Sequence, residues 1–145
     1  FPNHTPNGVV RYDSSRLLVY GFPSRFTHYN GVRVNGLCRI FSDGSLDTTF
    51  QSPFIDTLAV SALAPILIEN GNVFIGGQFY VESDSSFKTF LKLSANGSID
   101  STFSLAYPTS STSPYAQITT ISKTDDNGYL VGGIFDQYQG NNIVN

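Results

Sequence analysis

The phrase DGSLDTTF at Asp43–Phe50 recurs as NGSIDSTF at Asn96–Phe103, 53 positions further along the chain. The Gly, Ser, Asp, second Thr and Phe of the phrase are identical in both copies, and the other three positions hold conservative pairs. The match extends upstream, where LCRI at Leu37–Ile40 corresponds to FLKL at Phe90–Leu93. A phrase that returns at a fixed distance indicates an architecture of repeated supersecondary units.

A second motif recurs in the same order as the first. It reads LLVYG at Leu17–Gly21, VFIGG at Val73–Gly77 and YLVGG at Tyr129–Gly133, with 56 positions between successive final glycines. In addition, RFTHYNG at Arg25–Gly31 resembles IFDQYQG at Ile134–Gly140. These phrases indicate a period of about 53 to 56 residues.

Counted from the second motif, the chain divides into four parts. We expect a partial unit at residues 1–16, repeat 1 at 17–72, repeat 2 at 73–128 and a partial repeat 3 at 129–145. The runs LLVY, VFI and YLV are short and rich in β-branched and aromatic residues, which is typical of strands buried on both faces. The runs LCRIFS and TFLKLS alternate more, so that Arg39 and Lys92 are predicted on a face that meets water.

The two tight turns of the repeated phrase are predicted to be structural. Asp-Gly and Asn-Gly favour type I′ hairpin turns, in which both central residues have positive φ. The aspartate three positions after each glycine precedes Thr-Thr or Ser-Thr, whose hydroxyl and amide groups it can bind. Because this aspartate occurs in both copies, a role in the fold is favoured over catalysis or calcium binding. The predicted structural turn residues are Asp43, Gly44, Asp47, Asn96, Gly97 and Asp100.

The predicted fold class is all-β, because no segment shows the 3.6-residue period of a helix. About four short strands in a unit of 53 to 56 residues fit the blade of a β-propeller. The joint pattern of the DGSLDTTF phrase and the apolar run ending in Gly-Gly-x-Phe resembles the delta-60 repeat, a family of propeller blades. This resemblance implies a large surface protein of bacteria or a virion protein of bacteriophages, and it implies no catalytic residues.

Two full repeats are fewer than the four to eight blades of a propeller. We therefore expect the 145 residues to be part of a longer chain. The alternative is a ring that several chains complete together. In both cases the expected partners are other blades or subunits of the same assembly, since open sheet edges are otherwise prone to aggregation.

Composition argues against several classes of function. Charged residues make up 13% of the chain, the net charge is −3 and the pI is about 5.1, so nucleic acid is not an expected partner. Insertion into a membrane is not expected either, because no apolar run approaches about 20 residues. The single cysteine, Cys38, replaces Leu91 of the second repeat and is interpreted as a small core residue.

The sequence predicts neither an enzyme nor a cofactor or metal site. Glycosidase chemistry needs two carboxylates across a cleft, whereas the two glutamates and most aspartates lie in turn-like segments. His4 and His28 do not have metal-ligand spacing with each other or with Cys38. We therefore expect a non-catalytic structural or adhesion module of a virion, of the phage tail or fibre type, or of a bacterial surface protein. Its expected location is the virion surface, the extracellular space or the cell surface.

The alternative function is a lectin-like propeller that binds cell-surface glycans. Loops that follow the apolar runs carry aromatic and amide side chains, which can stack on a sugar and hydrogen-bond to it. The candidate ligand-binding residues are His28, Tyr29, Asn30 and Tyr138.

Overall fold

The computed structural model of the chain describes residues 2–55, 64–81, 87–103, 116–126, 128–138 and 141–142. Within these ranges the regular structure is strand only, which confirms the all-β prediction, and no helix there could cross a membrane. The strands are β1 (Gly8–Arg11), β2 (Arg16–Tyr20), β3 (His28–Tyr29), β4 (Val32–Arg33), β5 (Leu37–Phe41), β6 (Ala64–Glu69), β7 (Asn72–Tyr80), β8 (Phe87–Leu93), β9 (Gln117–Lys123), β10 (Tyr129–Ile134), β11 (Gln137–Tyr138) and β12 (Asn141–Asn142).

Three antiparallel sheets correspond to the repeats and follow one another along the chain, whereas the pairs β3–β4 and β11–β12 are separate hairpins. The first sheet has the strand order β1–β2–β5, the second β6–β7–β8, and the third contains β9 and β10. After β5 and β8 the chain turns back, and Leu46 and Ile99 each form one further bridge to the sheet. The first two sheets thus contain three strands and the beginning of a fourth. The predicted repeats begin at the apolar motif, which forms β2, β7 and β10. Each sheet begins one strand earlier, at β1, β6 or β9.

The turn of the repeated phrase differs from the predicted type. Phe41 N–H donates to Ser45 O at 2.8 Å, and Gly44 N–H donates to Phe41 O at 2.9 Å. Positive φ occurs only at the glycine, 86° at Gly44 and 90° at Gly97. This is a three-residue loop in which a type I turn is followed by a glycine bulge, so the type I′ prediction is wrong. The side chain of Asp43 supports this loop, because its Oδ1 accepts a hydrogen bond of 2.8 Å from Ser45 N–H.

Type I′ geometry occurs instead at other Asn-Gly pairs, two of which join neighbouring strands. Asn70 and Gly71 have φ of 50° and 79° and join β6 to β7. Asn30 and Gly31 have φ of 49° and 78° and join β3 to β4. The second of these turns forms the tip of a hairpin, the β3–β4 hairpin, that leaves the first sheet between β2 and β5.

Two of the three apolar clusters lie between successive sheets. Leu18, Leu37 and Phe50 of the first repeat pack with Val73 and Leu93 of the second, and none of the five is more than 5% exposed. Each such side chain that leaves water contributes about 1.5–3 kcal/mol of transfer free energy. Contact between neighbouring sheets is therefore the main source of stability at this junction.

A second cluster joins the second and third sheets. Phe74 lies at its centre, with ring centroids 4.7 Å from Tyr129 and 5.4 Å from Phe103. Leu130 occupies the position in β10 that Phe74 occupies in β7, yet it is 65% exposed. The prediction that the YLV run is buried on both faces is therefore wrong for Leu130. The cause is that the described residues place no further sheet against this face.

Candidate functional site

Arg39 and Asp47 form a buried ion pair in the first sheet. Each residue is 2% exposed, and Arg39 Nε donates to Asp47 Oδ2 at 2.7 Å. The other oxygen, Oδ1, accepts from Thr49 N–H at 3.0 Å and from Thr49 Oγ1 at 2.5 Å. Burial alone would raise the pKa of Asp47, but these bonds from Thr49 and Arg39 outweigh it and lower the pKa to about 2. The carboxylate is therefore ionised at neutral pH and unsuited to general acid catalysis.

Arg39 also connects the first sheet to the second. Its Nη1 donates to Ala95 O at 2.6 Å, and its guanidinium lies 4.6 Å from the ring centroid of Tyr12 and 5.1 Å from that of Phe50. The prediction that Arg39 faces water is therefore wrong. The neighbouring repeat covers this face of β5, and the arginine is satisfied by a carboxylate, a carbonyl and two aromatic rings.

The second repeat contains the same arrangement with lysine in place of arginine. Lys92 Nζ lies 2.9 Å from Asp100 Oδ2, and the two side chains are 21% and 20% exposed. Asp100 Oδ1 accepts from Thr102 N–H at 3.0 Å and from its hydroxyl at 2.6 Å. The lysine lies over the rings of Phe74 and Phe103. The repeated aspartate therefore binds a basic strand residue and a threonine in both copies.

The turn of the second repeat packs directly against the first repeat. Gln51 N–H donates to Asn96 O at 2.9 Å, and at the separate β6–β7 turn Tyr12 Oη donates to Gly71 O at 2.6 Å. A Cβ atom on Gly97 would lie 2.0 Å from Gln51 O, whereas nothing lies within 4 Å of a Cβ on Gly44. Gly97 is thus required for close approach as well as for its positive φ.

The predicted ligand-binding residues lie on two different hairpins. Tyr29 is 8% exposed, and its hydroxyl donates to Gly44 O at 2.9 Å, so this ring is part of the core and is not a surface for stacking. His28 Nδ1 lies 2.9 Å from Thr27 Oγ1, and Asn30 is exposed at the hairpin tip. Tyr138 belongs to β11, and its side chain lies outside the described part of the structure.

Neither metal binding nor thiol chemistry is indicated by the geometry. No group of three or more His, Cys, Asp and Glu residues in the described ranges could hold a metal ion. Cys38 is 1% exposed, and burial raises the pKa of its thiol to about 12.

Glu69, at the end of β6, accepts a hydrogen bond of 2.5 Å from Tyr129 and pairs with Lys123, so it joins the second sheet to the third.

One cleft of about 350 Å³ lies beside the β3–β4 hairpin. One wall is residues 32–35 of the hairpin and the residues that follow it, and the other is the end of the DGSLDTTF phrase with the two residues after it. The lining residues are Val32, Arg33, Val34, Asn35, Leu37, Leu46, Thr48, Phe50, Gln51 and Ser52. The volume is within the range of small-molecule sites, about 300–1,000 Å³. We call this the hairpin cleft.

The comparison with family models identifies the repeated unit. A model described as domain of unknown function (DUF5122) beta-propeller matches residues 24–50 and 69–103, which is less than half of the chain but includes both copies of the phrase. The chain is built from β-propeller blade repeats. No curated protein and no solved structure matches it. The successive sheets are therefore blades, and the predicted fold class is confirmed.

The repeated charge pairs belong to the framework of the blades. A signal for them was present in the sequence, because a basic residue precedes the aspartate by eight positions in both copies, Arg39 before Asp47 and Lys92 before Asp100. Sequence reasoning placed these basic residues toward water and missed the bond from Arg39 to the next blade. It also missed the hairpin cleft, whose two walls are distant in sequence.

Proposed function

We propose that the chain is a non-catalytic structural or adhesion module of a virion, of the tail or fibre type, or of a bacterial surface protein. The resemblance to the delta-60 repeat, which occurs in such proteins, supports this class and a location at the virion or cell surface. The observation that carries the proposal is the Arg39–Asp47 pair. Its carboxylate is 2% exposed, and its arginine binds Ala95 O of the next blade. In the first repeat the charge pair thus joins two blades.

The proposed partners are further blades of the same kind, in the same subunit or in another. Leu18, Phe74 and Leu130 occupy equivalent positions in the three blades, on the face that meets the following blade. They are 0%, 1% and 65% exposed, in that order. Side chains at this position are buried wherever a following blade is described, so Leu130 marks the face that a further blade would cover.

Immunogold electron microscopy tests the proposed location. Antibodies raised against the 145-residue chain should label intact virions, or intact cells, of the source organism. Labelling that appears only after the particles or cells are lysed would contradict a surface module. Hydrolysis of a glycan substrate by the purified chain, abolished by one Asp→Asn substitution, would contradict the non-catalytic part of the proposal.

Glycan binding is the second candidate function, and the hairpin cleft favours it. The cleft combines apolar side chains with hydroxyl and amide groups, the combination that small-molecule sites use. Titration of the chain with cell-surface glycans, followed by tyrosine fluorescence, tests this candidate. A saturable change supports it, and the absence of a saturable change with every glycan would exclude it.

A further inference from the structure

Five of the residues that line the hairpin cleft are not repeated between blades. At the 53-residue offset, Val32, Arg33 and Asn35 correspond to Ser85, Ser86 and Lys88. On the opposite wall, the two positions after the phrase change from Gln51 and Ser52 to Ser104 and Leu105. The framework residues of the phrase are identical at the same offset. The cleft thus collects side chains that the blade fold does not require, and such positions are where a specific function is expected.

Hydrogen bonds hold the two walls of the cleft together. Asn35 Nδ2 donates to Phe54 O at 2.8 Å, and Ser52 Oγ donates to Asn35 O at 3.1 Å. Asn35 Oδ1 in turn accepts from Arg33 Nε at 2.9 Å. Both side-chain groups of Asn35 are therefore used to fix the shape of the cleft. A site that is already formed loses little conformational entropy when a ligand binds.

The chemistry of the lining fits a polyhydroxylated ring. Phe50 and Leu37 form a buried floor, and the side chain of Val32, which is 47% exposed, offers an apolar surface. Thr48 and Gln51 are exposed on the opposite wall and can donate or accept hydrogen bonds. No carboxylate is among the lining residues that the structure describes, and the one charged side chain among them is a cation, so these residues do not suit a metal ion.

We propose that the hairpin cleft binds one sugar ring of a glycan. The C–H face of the ring packs on Val32, and its hydroxyl groups bind Thr48 and Gln51. The inference rests on the second candidate function and gives it a site. It also moves recognition away from Tyr29, whose ring is buried.

Nuclear magnetic resonance titration of the ¹⁵N-labelled chain tests the site. The probes are the methyl glycosides of glucose, galactose, N-acetylglucosamine and glucuronic acid. We expect the backbone amides of Arg33, Gln51 and Ser52 to shift saturably with at least one of them. Neutral and acidic rings are distinguished by the probe that binds.

A matched pair of variants provides the control. Thr48 lines the cleft, and Ser101 is its counterpart in the second blade, where it is also exposed. Thr48→Ala should weaken binding about fivefold, the effect of one hydrogen bond, and Ser101→Ala should leave it unchanged. Unperturbed amide spectra outside the substituted site show that both variants are folded.

Three results would overturn the proposal. Saturable shifts centred on other residues, such as His28 and Asn30, would show that the sugar binds elsewhere, so the cleft would be excluded as the site while glycan binding would be supported. The absence of saturable shifts with all four glycosides would contradict both the cleft and glycan binding. Equal effects of Thr48→Ala and Ser101→Ala would show that the cleft does not contact the sugar.

Discussion

The substitution Asp47→Asn removes the counter-charge of the buried Arg39 and a longer contact of 3.4 Å to the partly exposed Arg16, and it keeps almost everything else. Asparagine has the same shape, and its Oδ1 can still accept the two bonds from Thr49. Arg39, which is 2% exposed, then remains buried without its carboxylate. Removing one partner of a buried ion pair costs about 3–5 kcal/mol. Because small domains are stable by only about 5–15 kcal/mol, this loss is a large fraction of the total free energy of unfolding.

The second blade supplies the matched control, Asp100→Asn. Lys92 and Asp100 are about one-fifth exposed, so water can solvate the lysine after the charge is lost. The destabilisation should therefore be clearly smaller than for Asp47→Asn. The assay is urea unfolding followed by circular dichroism, with the free energy of unfolding obtained by linear extrapolation. Equal losses in the two variants, or a loss below about 1 kcal/mol for Asp47→Asn, would refute the buried pair as a determinant of stability.

Three further predictions follow from glycine conformation, blade contact and titration. Gly44→Ala should lower the free energy of unfolding by about 1–2 kcal/mol, the penalty for a left-handed alanine. Gly97→Ala should lower it more in the same urea assay, because a Cβ there would clash with the preceding blade. Equal losses in the two variants would contradict this packing. Leu18→Ala should cost about 2–5 kcal/mol as a core truncation and Leu130→Ala almost nothing in the 145-residue chain, since Leu130 is 65% exposed; a large loss for Leu130→Ala would mean that its face is covered. Because the pKa of Asp47 is lowered from 3.8 to about 2 in the fold, its contribution to the free energy of unfolding should be complete above pH 3.8 and be lost as the pH falls toward 2. The stability of the wild type should therefore fall more steeply over this pH range than that of Asp47→Asn. An identical pH dependence of the two proteins would contradict the assignment.

The sequence predicts the strands well because the relevant forces are local. The runs around β2, β7 and β10 combine strand-forming side chains with flanking turn residues, and the period repeats this signal three times. The turn type was less predictable, since Asp-Gly is compatible both with a type I′ turn and with a type I turn followed by a glycine bulge. The Asp43 side chain, bonded to Ser45 N–H, supports the second form.

Features that depend on a neighbouring blade could not be predicted from local pattern. Arg39 alternates like a surface residue along β5, but the second blade, whose Ala95 lies 56 positions later, covers it together with the rings of Tyr12 and Phe50. Leu130 resembles Leu18 in sequence, and only the absence of a following blade in the described residues makes it exposed. The hairpin cleft depends on the fold bringing residues 32–35 to the end of the phrase.

Methyl nuclear Overhauser effects test whether the repeats are blades packed face to face. With selectively labelled Leu and Val, we expect effects between methyl groups of Leu18 or Leu37 in the first blade and those of Val73 or Leu93 in the second, because all four lie in one buried cluster. Effects confined to pairs within each blade would contradict it.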